Sequence, residues 1–274
     1  MTGYLKALLA SAFFVAALPL AGATNAACTP PTHYQPAALA RVIDGDTLVL
    51  EDGRHVRLIG INTPELAHDQ QPAQPLAREA RDAARAFLGH APLQLVVGRD
   101  SQDRHGRTLA HVFDAEGRSL EAALLQRGLG FPLSIPPNLT LRECLNAAAQ
   151  QAQTQHLGVW SHPDFQPRAV TALQPGDGGF GRYRGRVTAV GQNRSGAFLE
   201  LEQRLYLPID PQARELFDLA QLHALTQRTI EVSGWLSYRR LTAAQRARHF
   251  RPFRLSLQHP DALQVLRTTP VQRE

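Results

Sequence analysis

The sequence predicts an α+β, mainly β fold in two parts, the second a small β-barrel of OB type. Three observations carry this. Strand-like runs flank a strong turn signal at Asp52-Gly53. In the first part, helical periodicity is confined to three stretches near 75–88, 120–126 and 140–156. A Pro/Gly-rich stretch then separates these from a second strand-rich run. Hydrophobic residues make up 43% of the chain, enough for real cores and against global disorder.

Taken in order, Met1–Lys6 is a weakly basic start, Leu8–Leu20 is apolar, and small residues follow through Ala27. That layout predicts a secretory signal peptide over 1–27, with cleavage near Ala26 or Ala27 and export to the periplasm or medium. The apolar run is short for a membrane span, which needs about 20 residues, so none is expected in the mature chain. Cys28, directly after the leader, raises a lipoprotein reading. Asn25 speaks against it, because a lipobox usually has a leucine-like residue there. Cys28 and Cys144 are the only cysteines, and in an oxidising compartment they suggest one disulfide; two unpaired thiols are the alternative.

Arg41–Leu50 is expected as a strand with a sharp feature at Gly45, and His55–Ile61 as its return. Pro75 suits the first position of a helix to Leu88, with Leu76, Ala80, Ala83 and Phe87 on one face. Leu93–Val97 and Leu109–Phe113 read as strands, and Leu120–Gln126 as a helix stopped by Gly128. Thr140-Leu-Arg-Glu143 has the form of a capping box opening a helix to about His156. Residues 163–179 read as a linker. Strands over 183–190, 198–207 and 229–235, with a helical piece at 212–225, then suit the second barrel over 180–270. Trp160 reads as a packing anchor and Trp235 as core.

Charge divides unevenly. Residues 29–167 hold 12 Arg against 15 acidic residues, a net of −3, while 168–274 hold 16 Arg against 9, a net of +7. Arg182, Arg184 and Arg186 alternate along one strand beside Tyr183. Arg239 to Arg254 cluster near Phe250 and Phe253. Arginine with interleaved aromatics suits nucleic-acid binding; a solvated basic surface is the plain alternative.

Four pieces carry chemistry. Asp44-Gly-Asp46-Thr47 places two carboxylates at i and i+2, the spacing of hard oxygen ligands for Ca²⁺ or Mg²⁺ if they share a strand face. Arg57 is a charge among Val56, Leu58 and Ile59, and needs a partner or a site. Glu65, in Asn62-Thr63-Pro64-Glu65, can act as a general base on water. Arg107, in Asp103-Arg-His-Gly-Arg107, can clamp a phosphate. Each piece alone has an ordinary reading as a turn or surface ion pair.

Together, the ordered set Val42–Thr47, Arg57–Glu65, Asp103–Arg107, Arg127-Gly-Leu129 and Leu157-Gly-Val-Trp160 resembles the thermonuclease, or staphylococcal nuclease-like, family over residues 38–162. The resemblance implies a five-stranded OB barrel with three helices. It implies hydrolysis of phosphodiester bonds in DNA and RNA to 3′-phosphate products, with Ca²⁺ as the usual ion and Mg²⁺ or another divalent cation as alternatives. It casts Asp46 and the Thr63 carbonyl as metal ligands and Asp44 as an acid behind them. Glu65 is then the general base, and Arg57 and Arg107 bind the phosphate. Asn62 departs from the pattern, standing where the family commonly has a second ligating aspartate; its amide oxygen can still ligate, with one charge fewer. The nucleotide-contacting tyrosines are also missing, and His105 takes one such place. The enzyme reading therefore stands beside a second, an exported nucleic-acid-binding barrel with little or no turnover. No protein partner is evident.

Overall fold

The computed structural model describes residues 28–67 and 71–266, so the expected signal peptide lies outside the described residues. The first half builds β1 (Gln35–Ala37), β2 (Leu39–Val42), β3 (Thr47–Leu50), β4 (His55–Leu58) and β5 (Ile61–Asn62). Helix α1 (Ala77–Leu88), β6 (Leu93–Gln102), β7 (Thr108–Phe113), α2 (Leu120–Gln126), β8 (Phe131–Pro132) and α3 (Arg142–Thr154) follow. β1 and β2 are one bent strand interrupted only at Ala38. One end pairs with β6 and the other with β3, which closes a five-stranded barrel. Around the ring the strands follow the order first, second, third, fifth, fourth, and the third and fifth (β4 and β7) pair in parallel. This is the OB barrel that the resemblance implied. Leu48, Val56, Leu95, Ala110 and Val112 alternate inward and are fully buried. Each large apolar side chain so buried contributes about 2 kcal/mol.

Local signals fared unevenly. Gly53, at φ 86°, makes the Asp52-Gly53 turn as expected. α2 starts on Ser119, whose hydroxyl accepts from the Ala122 amide, and ends at Gly128 with φ 67°. α1 begins at Ala77, not Pro75, because Leu76 sits in the left-handed region at φ 64°. Its buried face is Ala77, Ala80, Ala83, Ala84 and Leu88. The capping box does not form: α3 begins at Arg142, and no side chain caps its start. The Arg142 amide instead closes a tight turn on the Leu139 carbonyl, which keeps Thr140 out of the cap position. Cys28 and Cys144 are joined, with Cα atoms 5.5 Å apart, fastening the first described residue to α3.

The second half builds β9 (Arg168–Ala169), β10 (Gly179–Asn193), β11 (Gly196–Leu201), β12 (Leu205–Pro208), α4 (Leu219–His223), β13 (Thr229–Tyr238), α5 (Ala243–Ala247), β14 (Phe253–Leu255) and β15 (Leu263–Val265). β10 pairs with both β11 and β13. The ring β10-β11-β12-β14-β13 therefore closes, with the same strand order as the first barrel and again a parallel pair between its third and fifth strands. The core is Leu199, Leu201, Leu205, Leu207, Val232, Phe253 and Leu255.

The stretch 163–179 is not a free linker. β9 adds in parallel to β10, Val170 and Leu173 are fully buried in the second core, and Arg204 donates to the Thr171 and Leu173 carbonyls at 2.7 and 2.6 Å. Its prolines restrict helix to short 3-10 turns at Pro163–Phe165 and Val170–Ala172, but they do not prevent packing. The two barrels meet at a defined joint. Asp261 accepts from Ser134 Oγ at 2.6 Å, Arg142 at 3.0 Å and Asn146 Nδ2 at 2.6 Å. Beside it run the ring contacts Trp160–Phe131, Phe131–Phe180 and Phe180–Trp235, at 5.4, 5.5 and 5.0 Å. Trp160 is thus the packing anchor expected of it. Trp235 is not core: it points outward from β13, 43% exposed, at the far end of this aromatic row.

Candidate active site

Asp44, Gly45 and Asp46 lie in the hairpin turn between β2 and β3, not on a strand as expected. The Asp46 amide donates to Asp44 Oδ1 at 3.1 Å, folding the turn on itself. Gly45 is required by close approach. A Cβ there would lie 2.7 Å from Thr63 Cγ2 and 2.9 Å from the Ala80 Cβ. The turn therefore sits directly against the loop after β5 and against α1.

Asp46 is buried, and its oxygens are fixed by that loop. Oδ2 accepts the Thr63 amide at 2.7 Å and faces Arg57 Nη2 at 3.2 Å, while Oδ1 accepts the Thr47 hydroxyl at 3.3 Å. Arg57 projects outward between the buried Val56 and Leu58. It donates to the Leu58 and Ile61 carbonyls at 3.0 and 2.9 Å and to Asn62 Oδ1 at 3.1 Å. The charge that looked unaccounted for in the sequence is thus the hub joining turn, strand and loop. Buried charges persist only when paired and hydrogen-bonded in this way.

Burial, reinforced by the charges of Asp46 and Glu65, pushes the Asp44 carboxyl up to about 7. Three acidic side chains therefore press on one another at this corner. Glu65 itself is exposed, and its backbone is clamped: its amide donates to Gln74 Oε1 and its carbonyl accepts the Gln74 amide, both at 2.9 Å. Sequence reasoning missed Gln74, and missed that Gly45 is needed for contact with Thr63. Neither carries a local signal, because both act across the fold.

Arg107 emerges from the turn between β6 and β7. Asp103 receives its Nε and Nη2, each at 2.7 Å, and its amide at 3.0 Å. Burial raises Asp103, but these bonds outweigh it and hold the carboxyl below its usual range. Leu109 is the register partner of Arg57. Alternation therefore puts Arg107 on the same outward face, one strand over. Arg182 differs from the expectation for a nucleic-acid contact: Glu231 pairs with it at 2.6 Å and it lies 5.0 Å over the Trp160 ring, leaving it 9% exposed. Arg184 and Arg186 remain exposed on the same strand.

Residues 55–162 match the family model described as staphylococcal nuclease homologue. The chain is 33% identical over 145 residues to a protein named thermonuclease from Staphylococcus hyicus, covering 52% of this chain and 82% of that one. The chain belongs to the thermonuclease family. A thermonuclease from Staphylococcus intermedius is 35% identical over 123 residues, 44% of this chain and 73% of that one. A probable endonuclease from Aspergillus terreus is 40% identical over 83 residues, 27% of this chain and 28% of that one. The family is one of nucleases, hydrolases of phosphodiester bonds. Two of the segments that carried the resemblance pack together here as backbone: the Val159 amide donates to the Gly128 carbonyl at 2.8 Å, and a Cβ on Gly128 would clash with the Leu157 carbonyl oxygen. The second barrel lies beyond the matched region.

Among the described residues, no three His, Cys, Asp or Glu side chains form a ready-made metal cage. The donor chemistry nonetheless suits a hard divalent cation: carboxylates at Asp44 and Asp46, an amide oxygen at Asn62 and the Thr63 carbonyl. Burial and the neighbouring charges of Asp46 and Glu65, which together raise Asp44, are what a bound cation would offset.

Proposed function

We propose that this thermonuclease-family chain is an exported, divalent-cation-dependent nuclease that hydrolyses phosphodiester bonds in DNA or RNA. The observation that carries the reading is the Arg57 hub, which ties Asp46 on the β2–β3 turn to Asn62 at the end of β5, just before the loop that bears Glu65. Asp46, the Asn62 amide oxygen and the Thr63 carbonyl would hold the ion, with Asp44 behind them. Ca²⁺ is the leading choice and Mg²⁺ the alternative. When bound, the ion supplies neutralisation of phosphate charge.

The chain's own groups do the rest. Glu65 takes a proton from water as its oxygen attacks phosphorus. The bond to the 5′-oxygen breaks, that oxygen ends as a hydroxyl with a proton from solvent, and a 3′-phosphate remains. Arg57 and Arg107, on one outward face, meet the charge that grows on the phosphoryl oxygens. The Cys28–Cys144 bond supports export, since such bonds persist in oxidising compartments. Digestion of plasmid and of RNA across a Ca²⁺ and Mg²⁺ series against chelator tests the reading. Cleavage unaffected by chelator removes the cation, and cleavage unaffected by Glu65→Gln removes the mechanism. One observation favours a binding barrel without turnover: Asn62 spends its oxygen on Arg57 and brings no charge. Absence of cleavage under every cation, with oligonucleotide binding retained, would select that reading.

A further inference from the structure

The second barrel repeats the strand order of the first, so the catalytic face has a topological counterpart there. In the first barrel that face is built from the turn joining the first two strands, the outer side of the third, and the turn before the fifth. In the second barrel the same places are the turn at 193–196, the outer side of β12, and the long arm 239–252 leading into β14. A cavity of about 720 Å³ lies there, reached by Asn193 and Ser195 from the turn, Tyr206 from β12 and the arm from Arg239 to Pro252.

Register fixes its floor. Glu200, Tyr206, Arg254 and Ser237 are successive partners across β11, β12, β14 and β13. Each alternates with buried neighbours such as Leu199, Leu205, Phe253 and Leu236, so the row faces outward. Phe198 stacks at 5.3 Å against Tyr206 on this floor. The arm supplies the opposite wall. Phe250 is 40% exposed there, with the Arg248 and Arg239 guanidiniums 5.3 and 5.8 Å from its ring. Four arginines line the cavity against one acid, Glu200, and Arg251 neutralises that acid at 2.7 Å. The lining is therefore net positive, with aromatic faces on both sides.

We propose that this groove binds a single-stranded stretch of nucleic acid, its bases stacking on Phe250 and the Phe198–Tyr206 pair and its phosphates meeting Arg239, Arg248 and Arg254. Charge selects a polyanion. The exposed ring beside two guanidiniums selects one with flat faces, and the volume accommodates a nucleotide-sized group. OB barrels take oligonucleotides on this part of their surface. The corner carboxylates of the first barrel have no counterpart in the groove, which makes it a holding site. It would deepen the nuclease reading by naming the substrate form, and it rests on that reading only for its purpose.

The test uses the full chain, with Phe250→Ala, Phe250→Trp and Arg248→Ala. Binding of fluorescein-labelled oligo-dT is read by anisotropy in chelator, beside a duplex of equal length. Turnover of a chromogenic mononucleotide ester reads the first barrel alone. The expected result is about tenfold or greater loss of oligo-dT affinity in Phe250→Ala and Arg248→Ala. Phe250→Trp should restore binding, and turnover of the small ester should not change. If oligo-dT binding is unchanged in both alanine variants, or if Phe250→Ala weakens duplex as much as single strand, the proposal is wrong. If no ester is turned over but oligo-dT binding still depends on Phe250, the groove stands and the nuclease reading falls.

Discussion

Arg57 does two jobs that substitution can separate from those of Arg107. It satisfies two backbone carbonyls, Asn62 and Asp46 within a nearly closed corner, so Arg57→Ala leaves buried acceptors and a buried carboxylate unmatched. The expected cost is about 3 kcal/mol of stability together with the loss of activity. Arg107 is a third exposed and paired within its own turn. Arg107→Ala should lower turnover while shifting stability by less than about 1 kcal/mol. Urea denaturation beside kcat on plasmid separates the two, and equal destabilisation would overturn the assignment. Glu65 is held by its backbone, so Glu65→Gln should keep the loop in place and reduce kcat by about 100-fold or more at unchanged KM. Asn62→Asp should restore a charge beside the ion and lower the activating cation concentration several-fold, read from an activity titration.

At the level of elements, the strands and the tight turns were legible and the joints between elements were not. Asp52-Gly53 and Gly128 act on residues within three positions of themselves, so their chemistry is written locally. The Thr140–Glu143 motif was equally local and still misled, because the turn on Leu139 decided where α3 starts. Arg182 illustrates the opposite limit. Its partner Glu231 is 49 residues away across β10 and β13, so an apparently free cation was already committed. In the site, residue types and their order pointed to Asp46, Arg57 and Glu65 as candidates and to a sharp turn at Gly45, whereas Gln74 and the contact of Gly45 with Thr63 became visible only once loop and helix met. The Cys28–Cys144 bond closes a sequence separation of 116 residues. Replacing both cysteines by serine should cost roughly 5 kcal/mol by the loop-entropy model, read by urea denaturation with and without reductant.

Across the whole molecule, two barrels of one strand order share a joint centred on Asp261. Burial raises the Asp261 carboxyl, but hydrogen bonds from Ser134, Arg142 and Asn146 outweigh it and hold it below the usual range. A depressed carboxyl contributes stability above its unfolded value, and that contribution disappears as pH falls through the folded value. The joint should therefore hold above about pH 4 and loosen in more acid solution. Scattering should then show the barrels separating at low pH, and Asp261→Asn should show the same loosening at neutral pH; a joint indifferent to both would refute the account. A second OB-type barrel was expected from the sequence, whereas the joint between the barrels was not, because it resides in contacts between residues more than a hundred positions apart. The joint also sets a timetable. Ser134 meets Asp261 across 127 residues of chain. As the chain grows, the first barrel can assemble while the second is still being made, and the loop at 134 must wait for that much more polypeptide before it is fastened. The fastening of the two barrels thus cannot precede the synthesis of Asp261, when nearly all of the second barrel's strands are already made.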